Sequence, residues 1–130
     1  MERVLVMYPE GEEIERVMEG LRVAGLTVMR PADVAIGDGE GIALELEETV
    51  FLVDDSLKGS QLCSWIRGVC DAPIVVLCAD YDEARWSRFL ELGADLCMNR
   101  PVNVRELAAR IRSLLRRRRM SLRGDDEGES

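Results

Sequence analysis

The chain has 130 residues and a formal net charge of −8, with 47% hydrophobic and 32% charged residues. This length and balance fit one globular domain with a single core, and the acidic charge argues against direct nucleic-acid binding. The sequence contains no histidine, which excludes Ser-His-Asp and Cys-His catalysis as well as mixed Cys/His metal sites.

The cysteines and the apolar runs predict a cytoplasmic protein with free thiols. The four cysteines (Cys63, Cys70, Cys78 and Cys97) are scattered and form no C-x-x-C pair, which favours buried thiols over metal ligands or disulfides. No apolar run approaches the roughly 18 residues that a membrane span needs. Met1-Glu2-Arg3 leads directly into a strand, so we expect no signal peptide.

Short apolar runs alternate with helical patterns along the whole chain. Strands are predicted at about 3–8, 26–30, 49–53, 73–78 and 95–98. The first predicted helix carries Ile14, Val17, Met18 and Leu21, and a second lies near 38–47. The third carries Leu62, Ile66, Val69 and Cys70, the fourth covers about 82–92, and the fifth covers about 103–118, with Asn103 as its N-cap.

Five β-α units in strict alternation predict an α/β fold with helices on both faces of a parallel sheet. Residues 50–53 and 73–77 are apolar throughout, which is typical of central parallel strands. Residues 120–130 have no apolar period and predict a flexible acidic tail or the start of a linker. The predicted domain therefore covers residues 1–119.

Four stretches together resemble the receiver domain of two-component response regulators, most closely that of the winged-helix class. They are VFLVDD at 50–55, APIVVLCA at 72–79, LELGADLCMNRPV at 90–102 and RELAARIRSLLRRRR at 105–119. The resemblance covers residues 3–119. It implies a flavodoxin-like, doubly wound sheet of five parallel strands in the order 2-1-3-4-5, with its site beyond the carboxyl ends of the strands.

The resemblance also implies a phosphorylation switch. In this family an aspartate ending the third strand accepts a phosphoryl group from a histidine kinase, and two acidic residues ending the first strand help it to bind Mg²⁺. A serine or threonine ending the fourth strand and a lysine after the fifth hold the phosphoryl oxygens. An aromatic side chain on the fifth strand then turns inward and alters the face formed by the fourth helix, fifth strand and fifth helix.

This sequence keeps the acceptor position as Asp54 but lacks the acidic pair, whose positions hold Tyr8 and Pro9. Mg²⁺ usually takes one or two carboxylates, whereas proline offers no side-chain ligand and neutral tyrosine is a poor one. Glu10 and Asp55 are candidates to compensate in part, although neither occupies the family's position. We therefore predict no metal and no other cofactor, with Mg²⁺ binding lost or weak.

The remaining switch positions also depart from the family. The hydroxyl position is Cys78, a weak donor, and the aromatic position is Cys97. The lysine position is Arg100, followed by Pro101, and a planar guanidinium is not equivalent to a point charge. The loop after the acceptor is shorter than is usual in the family. Together these changes predict a degenerate receiver, a pseudo-receiver that keeps the fold as an interaction surface.

Two roles for Asp54 stay open: a phosphoacceptor, or a strand-end aspartate that caps the following loop. Arg100 is expected to pair with Asp54, which would mimic or block activation. Asp55 is expected to be a solvated loop residue.

The fourth helix, fifth strand and fifth helix predict an interaction face. In the winged-helix class, charged residues of the fourth helix and fifth strand pair across a two-fold axis with an acid and an arginine of the fifth helix. Here Trp86 and Leu96 replace the first set. The predicted face consists of Trp86, Phe89, Asp95, Leu96, Glu106 and Arg110, with Cys97 nearby. It would be an exposed apolar patch; the alternative is that Trp86 folds back over its own helix.

We therefore predict an atypical receiver of a two-component or phosphorelay protein, not an enzyme, that dimerises or docks a partner independently of phosphorylation. The expected partners are a second copy, another signalling protein or a histidine kinase, and neither nucleic acid nor a membrane. One alternative is a receiver still weakly phosphorylated at Asp54 that regulates a transcription-factor output. A flavodoxin-like enzyme or nucleotide binder would need a phosphate cradle after the first strand, where YPEGEE (8–13) places repelling glutamates.

Overall fold

The structure, a computed structural model, describes residues 2–8, 11–30, 48–80 and 82–128, with side chains as far as residue 121. Its elements are β1 (Arg3–Met7), α1 (Glu12–Val23), β2 (Thr27–Met29), β3 (Thr49–Asp54), α2 (Leu57–Val69), β4 (Ile74–Cys78), α3 (Glu83–Glu91), β5 (Leu96–Asn99) and α4 (Val104–Gly128). The helix predicted near 38–47 lies outside the described residues. The helices α2, α3 and α4 therefore correspond to the third, fourth and fifth predicted helices.

The five strands form one sheet in the order β2-β1-β3-β4-β5. Every pairing in the described ranges is parallel, with Val4 opposite Val50 and Val76 opposite Cys97 as examples of the register. The predicted doubly wound, flavodoxin-like fold and its strand order are thus confirmed. Strand β4 and all of β3 except its last residue, Asp54, are buried because helices cover both faces of the sheet.

Alternate residues of each strand supply two separate cores. Val4 and Leu52 face the first core, which α1 and α4 close with Ile14, Leu21, Leu107, Ile111 and Leu115. Leu5 and Phe51 face the second core, which α2 and α3 close with Cys63, Ile66 and Phe89. Val69, predicted on the apolar face of its helix, is instead 37% exposed.

The last helix runs further than the sequence pattern predicts. Its N-terminus is capped as expected, because Asn103 Oδ1 accepts from the Glu106 N–H at 2.9 Å. The predicted end near 118 is wrong, however, since α4 continues to Gly128 and its backbone covers most of the predicted tail. Residues 116–123 are mainly arginine, leucine and methionine, which favour helix even without an apolar face to bury. Among the helices of the described ranges, none has both the length and the apolar character that a membrane crossing would require.

Candidate functional site

The polar residues of interest meet where the parallel strands end. Tyr8 follows β1, Asp54 ends β3, Cys78 ends β4 and Arg100 comes directly after β5. Because all strands run in one direction, these residues share the carboxyl edge of the sheet, where ligands bind in folds of this kind. Pro9 and Glu10 lie outside the described residues.

Asp54 is engaged by the start of α2. The N–H and the hydroxyl of Ser56 both donate to Asp54 Oδ1, at 3.3 and 2.7 Å. The hydroxyl oxygen of Ser56 in turn accepts from the Gly59 N–H at 3.1 Å and so caps α2. Asp54 therefore makes the loop-capping contact expected of a strand-end aspartate.

Asp55 is a largely buried carboxylate with several donors around it, and its predicted role as a solvated loop residue is wrong. Its side chain is only 9% exposed. Asp55 Oδ2 accepts from the Ala79 N–H at 3.1 Å and from Arg85 Nη1 at 2.9 Å, and Oδ1 lies 3.8 Å from Arg100 Nη2. The pKa of Arg85 is raised, first by its hydrogen bond to Asp55.

Arg100 joins three elements at this edge. Besides Asp55 it pairs with Glu13 on α1, at 3.6 Å between Nη1 and Oε1, and its Cζ atom lies 5.8 Å from the centroid of the Tyr8 ring. The expected ion pair with Asp54 does not form. Successive residues of an extended strand point to opposite sides, and it is Asp55 whose carboxylate reaches the side occupied by Arg100.

Tyr8 is a half-buried, neutral side chain. Burial raises its pKa to about 12, against a smaller lowering by the charge of Arg100. Its hydroxyl is buried and has no hydrogen-bond partner among the described residues. The ring therefore fills space and stacks against a cation at the edge where the family's pattern has a carboxylate.

The two remaining switch positions are buried thiols. Cys78 is fully buried and Cys97 is 5% exposed. Burial raises the pKa of Cys97 to about 12, and the pKa of Cys78 is raised as well, chiefly by burial and then by the charge of Asp55. All four cysteines are free, as predicted, although Cys70 is only partly buried.

Among the described residues at this edge, the carboxylates already have other partners and do not form a ready site for a divalent cation. Asp55 is occupied by two guanidinium groups and an N–H, Asp54 is bonded to Ser56, and the neighbouring Tyr8 is neutral beside Arg100. A cation placed there would displace existing cationic partners. Among the described residues, no group of three or more acidic or cysteine side chains could hold a metal ion.

A cleft of about 430 Å³ borders Asp54. Its walls are mostly apolar, and two basic side chains, Arg30 and Lys58, lie on its rim. The described residues that line it are Met7, Tyr8, Arg30, Asp54, Ser56, Lys58 and Leu62. The cleft gives a small solute access to the Asp54 side chain.

The predicted apolar face is less exposed than the sequence indicates. Phe89 is 3% and Cys97 5% exposed, so both belong to the core, and Trp86 is partly buried against the same cluster. The interpretation as one exposed patch is therefore wrong for Phe89 and Cys97, whereas Trp86 packs partly against the second core. Leu96 is also partly buried, on the other core.

The polar members of that face differ in their roles. Asp95 Oδ2 accepts from the Ile74 N–H at 2.8 Å and from Arg67 at 3.3 Å, so it ties β5 to β4 and α2. Glu106 and Arg110 remain half-exposed and pair with each other along α4 at 3.3 Å. These two are open to a partner molecule.

Two residues of the site were not predicted from the sequence. Ser56 had a local signal, since a serine directly before a helical pattern is a common N-cap. Arg85 had none, because its partner Asp55 lies 30 residues away along the chain. Only the pairing of β3 with β4 brings the two together.

The fold and the site together define the class of domain. It is a flavodoxin-like α/β domain whose candidate functional residues lie at the carboxyl edge of the sheet. The chain is 37% identical over 132 aligned residues to the transcriptional regulatory protein GltR of Pseudomonas aeruginosa, covering 95% of this chain and 54% of that protein. It is 38% identical over 120 residues to the probable transcriptional regulator ycf27 of Cyanophora paradoxa, covering 88% and 48%. A CheY-like response regulator receiver domain protein from Methanospirillum hungatei JF-1 has the same fold, with a TM-score of 0.72 at 20% identity over 93% of this chain and 98% of that one.

These likenesses show that the chain has the fold of a response regulator receiver domain and that its sequence resembles about half of two transcriptional regulators. No family model matches the sequence. The chain spans about half the length of the curated relatives it matches.

Proposed function

We propose that this chain is a pseudo-receiver, related to the winged-helix class, that acts as a dimerisation or protein-docking module without being phosphorylated. The observation that carries the proposal is the pair formed by Tyr8 and Arg100. At the edge where the family's pattern has metal-binding carboxylates, a neutral ring lies against a guanidinium.

Phosphoryl transfer to a carboxylate depends on a metal ion that neutralises charge in the transition state. With Tyr8 neutral and Arg100 above its ring, the described residues offer neither the ligands nor the negative potential that Mg²⁺ requires. The proposal therefore includes loss of Mg²⁺ binding, no enzymatic activity and no requirement for a cofactor.

The second candidate function is weak phosphorylation at Asp54 that regulates a transcription-factor output. One observation favours it: Asp54 borders the cleft of about 430 Å³, so a small phosphodonor can reach its carboxylate. Against it, the Asp54 side chain already accepts two hydrogen bonds from Ser56, and these would have to be disrupted or shared.

The proposed partners are a second copy of the chain, another signalling protein or a histidine kinase. Support comes from side chains that the fold leaves open on α3 and α4. Leu90 is 47% exposed, and both members of the Glu106–Arg110 pair are about half exposed. An exposed apolar side chain and an exposed mixed-charge pair are features that modest, specific protein contacts use.

The proposal is tested by incubating the protein with acetyl phosphate and Mg²⁺ and weighing the intact chain. We expect no phosphoryl adduct on the wild type. The double variant Tyr8→Glu with Pro9→Asp restores two carboxylates and should acquire label, while adding Asp54→Asn to it should remove that label. A wild-type chain labelled at Asp54 would favour the second candidate instead.

A further inference from the structure

Asp55 sits in a cradle built by three separate elements. We name the Ala79 N–H, Arg85 and Arg100 the oxyanion cradle. Ala79 follows β4, Arg85 lies in the first turn of α3, and Arg100 follows β5. Their donors lie 3.1, 2.9 and 3.8 Å from the oxygens of the Asp55 carboxylate.

This arrangement is more than a surface ion pair. The Asp55 side chain is 9% exposed, and a carboxylate so far removed from water is stable only when charged donors replace its hydration. An N–H with two guanidinium groups is the donor set that proteins use to bind oxyanions. Without the carboxylate, Arg85 and Arg100 would be left as like charges around a cavity.

We propose that the cradle is an oxyanion-binding site whose resident ligand is the carboxylate of Asp55 itself. Occupied in this way, it fastens the end of β3 to α3 and to the residue after β5. The inference rests on the proposed function and deepens it. A ligand shifts a conformational equilibrium only if it binds one state better than the other. Because the Asp55 carboxylate already occupies the cradle, a phosphoryl group would have no free donors there with which to shift α3 and β5. Asp55 is the residue that holds α3 and β5 in one state.

The test removes the internal ligand and supplies a free one. In Asp55→Ala, hydrogen exchange of the α3 backbone amides should rise about tenfold or more, since the charge-assisted hydrogen bond from Arg85 on this helix is lost. Millimolar acetate or inorganic phosphate should then bind, shift the Ala79 amide resonance saturably and slow α3 exchange again. The wild type should respond to neither anion.

Two controls separate the cradle from general effects of charge. Asp54→Ala removes a neighbouring carboxylate and should leave α3 exchange unchanged. Sodium chloride at matched ionic strength should not reproduce the rescue. Unchanged α3 exchange in Asp55→Ala, rescue by chloride alone, or an equal effect of Asp54→Ala would each overturn the inference.

A milder variant covers the case in which Asp55→Ala does not fold. The Arg85 side chain is 44% exposed, so Arg85→Gln should fold and should still speed exchange in the first turn of α3; no change there overturns the inference. The two proposals fail separately. Phosphorylation of the wild type would refute the phosphorylation-independent function, whereas absence of anion rescue would refute only the cradle.

Discussion

Tyr8 stands where the family's pattern has an acidic residue, and this one difference changes the chemistry at the carboxyl edge of the sheet. Its hydroxyl is buried without a partner among the described residues, and burial raises its pKa to about 12. A raised pKa means that the folded state favours the neutral phenol over the phenolate. The associated part of the free energy of unfolding is therefore fully present below pH 10 and is lost as the pH rises through about 12.

This titration is measurable because the chain has only two tyrosines. In Tyr81→Phe, the phenolate absorbance of Tyr8 should appear with a midpoint near 12 rather than 10. Chemical unfolding should show stability declining over the same interval. Tyr8→Phe should lack that component of the decline, and a midpoint near 10 in Tyr81→Phe would contradict the burial of the ring.

Some features of individual site residues could be predicted from the sequence, and one could not. The replacement of the acidic pair, the buried thiols and the position of Arg100 beside the proline can all be read from the chain. The sequence does not reveal which of the two successive aspartates, Asp54 or Asp55, pairs with Arg100, because the answer depends on the residue at which β3 stops being extended. A shift of one residue at that point exchanges Asp54 for Asp55.

At the scale of elements, α2 is packed unusually closely against the end of β3. A Cβ atom on Gly59 would lie 1.9 Å from the carbonyl oxygen of Asp54 and 2.7 Å from its Oδ1. Both are shorter than any normal contact, and the first involves backbone that cannot move aside. Glycine at 59 thus allows the first turn of α2, capped by Ser56, to lie directly on the candidate site.

Gly59→Ala should accordingly destabilise the fold by about 2 kcal/mol or more, through overpacking against backbone. The same helix supplies a matched control. Gly68 has no atom within 4 Å of its would-be Cβ, so Gly68→Ala should stabilise the helix by roughly 0.5–1 kcal/mol. Urea unfolding of the two variants measures both changes, and equal stability of the two would show that α2 does not pack as described.

Elements were the level best predicted from the sequence. Five apolar runs and the helical periods between them indicate the doubly wound sheet, because burial on both faces requires continuous apolar strands. The end of α4 was predicted wrongly because, among the described residues, the last part of this helix buries no apolar stripe that the sequence pattern could reveal. Beyond Leu115 the helix has no core-facing stripe, and its arginines instead pair with distant acids, such as Arg118 with Asp71 at 2.7 Å.

At the scale of the whole molecule, the proposed function requires a surface that binds a partner while the candidate site stays in one conformation. Trp86 and Phe89 are turned toward the core, so substituting them would confuse loss of a contact with loss of stability. Leu90 on α3 and Arg110 on α4 are exposed and can be changed with little effect on folding. They are therefore the better probes of the proposed face.

We expect the proposed module to associate through this face whether or not Asp54 is intact. Leu90→Glu should weaken self-association or partner binding about tenfold or more, because it replaces an exposed apolar side chain of the proposed face with a charge, and Arg110→Glu should weaken it by removing a complementary charge. Val23→Glu is the matched control: Val23 is 79% exposed on α1, so the same change in charge there should have little effect. Sedimentation velocity over a range of concentrations measures all three, together with Asp54→Ala, which should behave as the wild type.

If Asp54→Ala abolishes association while Leu90→Glu preserves it, the domain still depends on its acceptor aspartate and the phosphorylation-independent function is wrong.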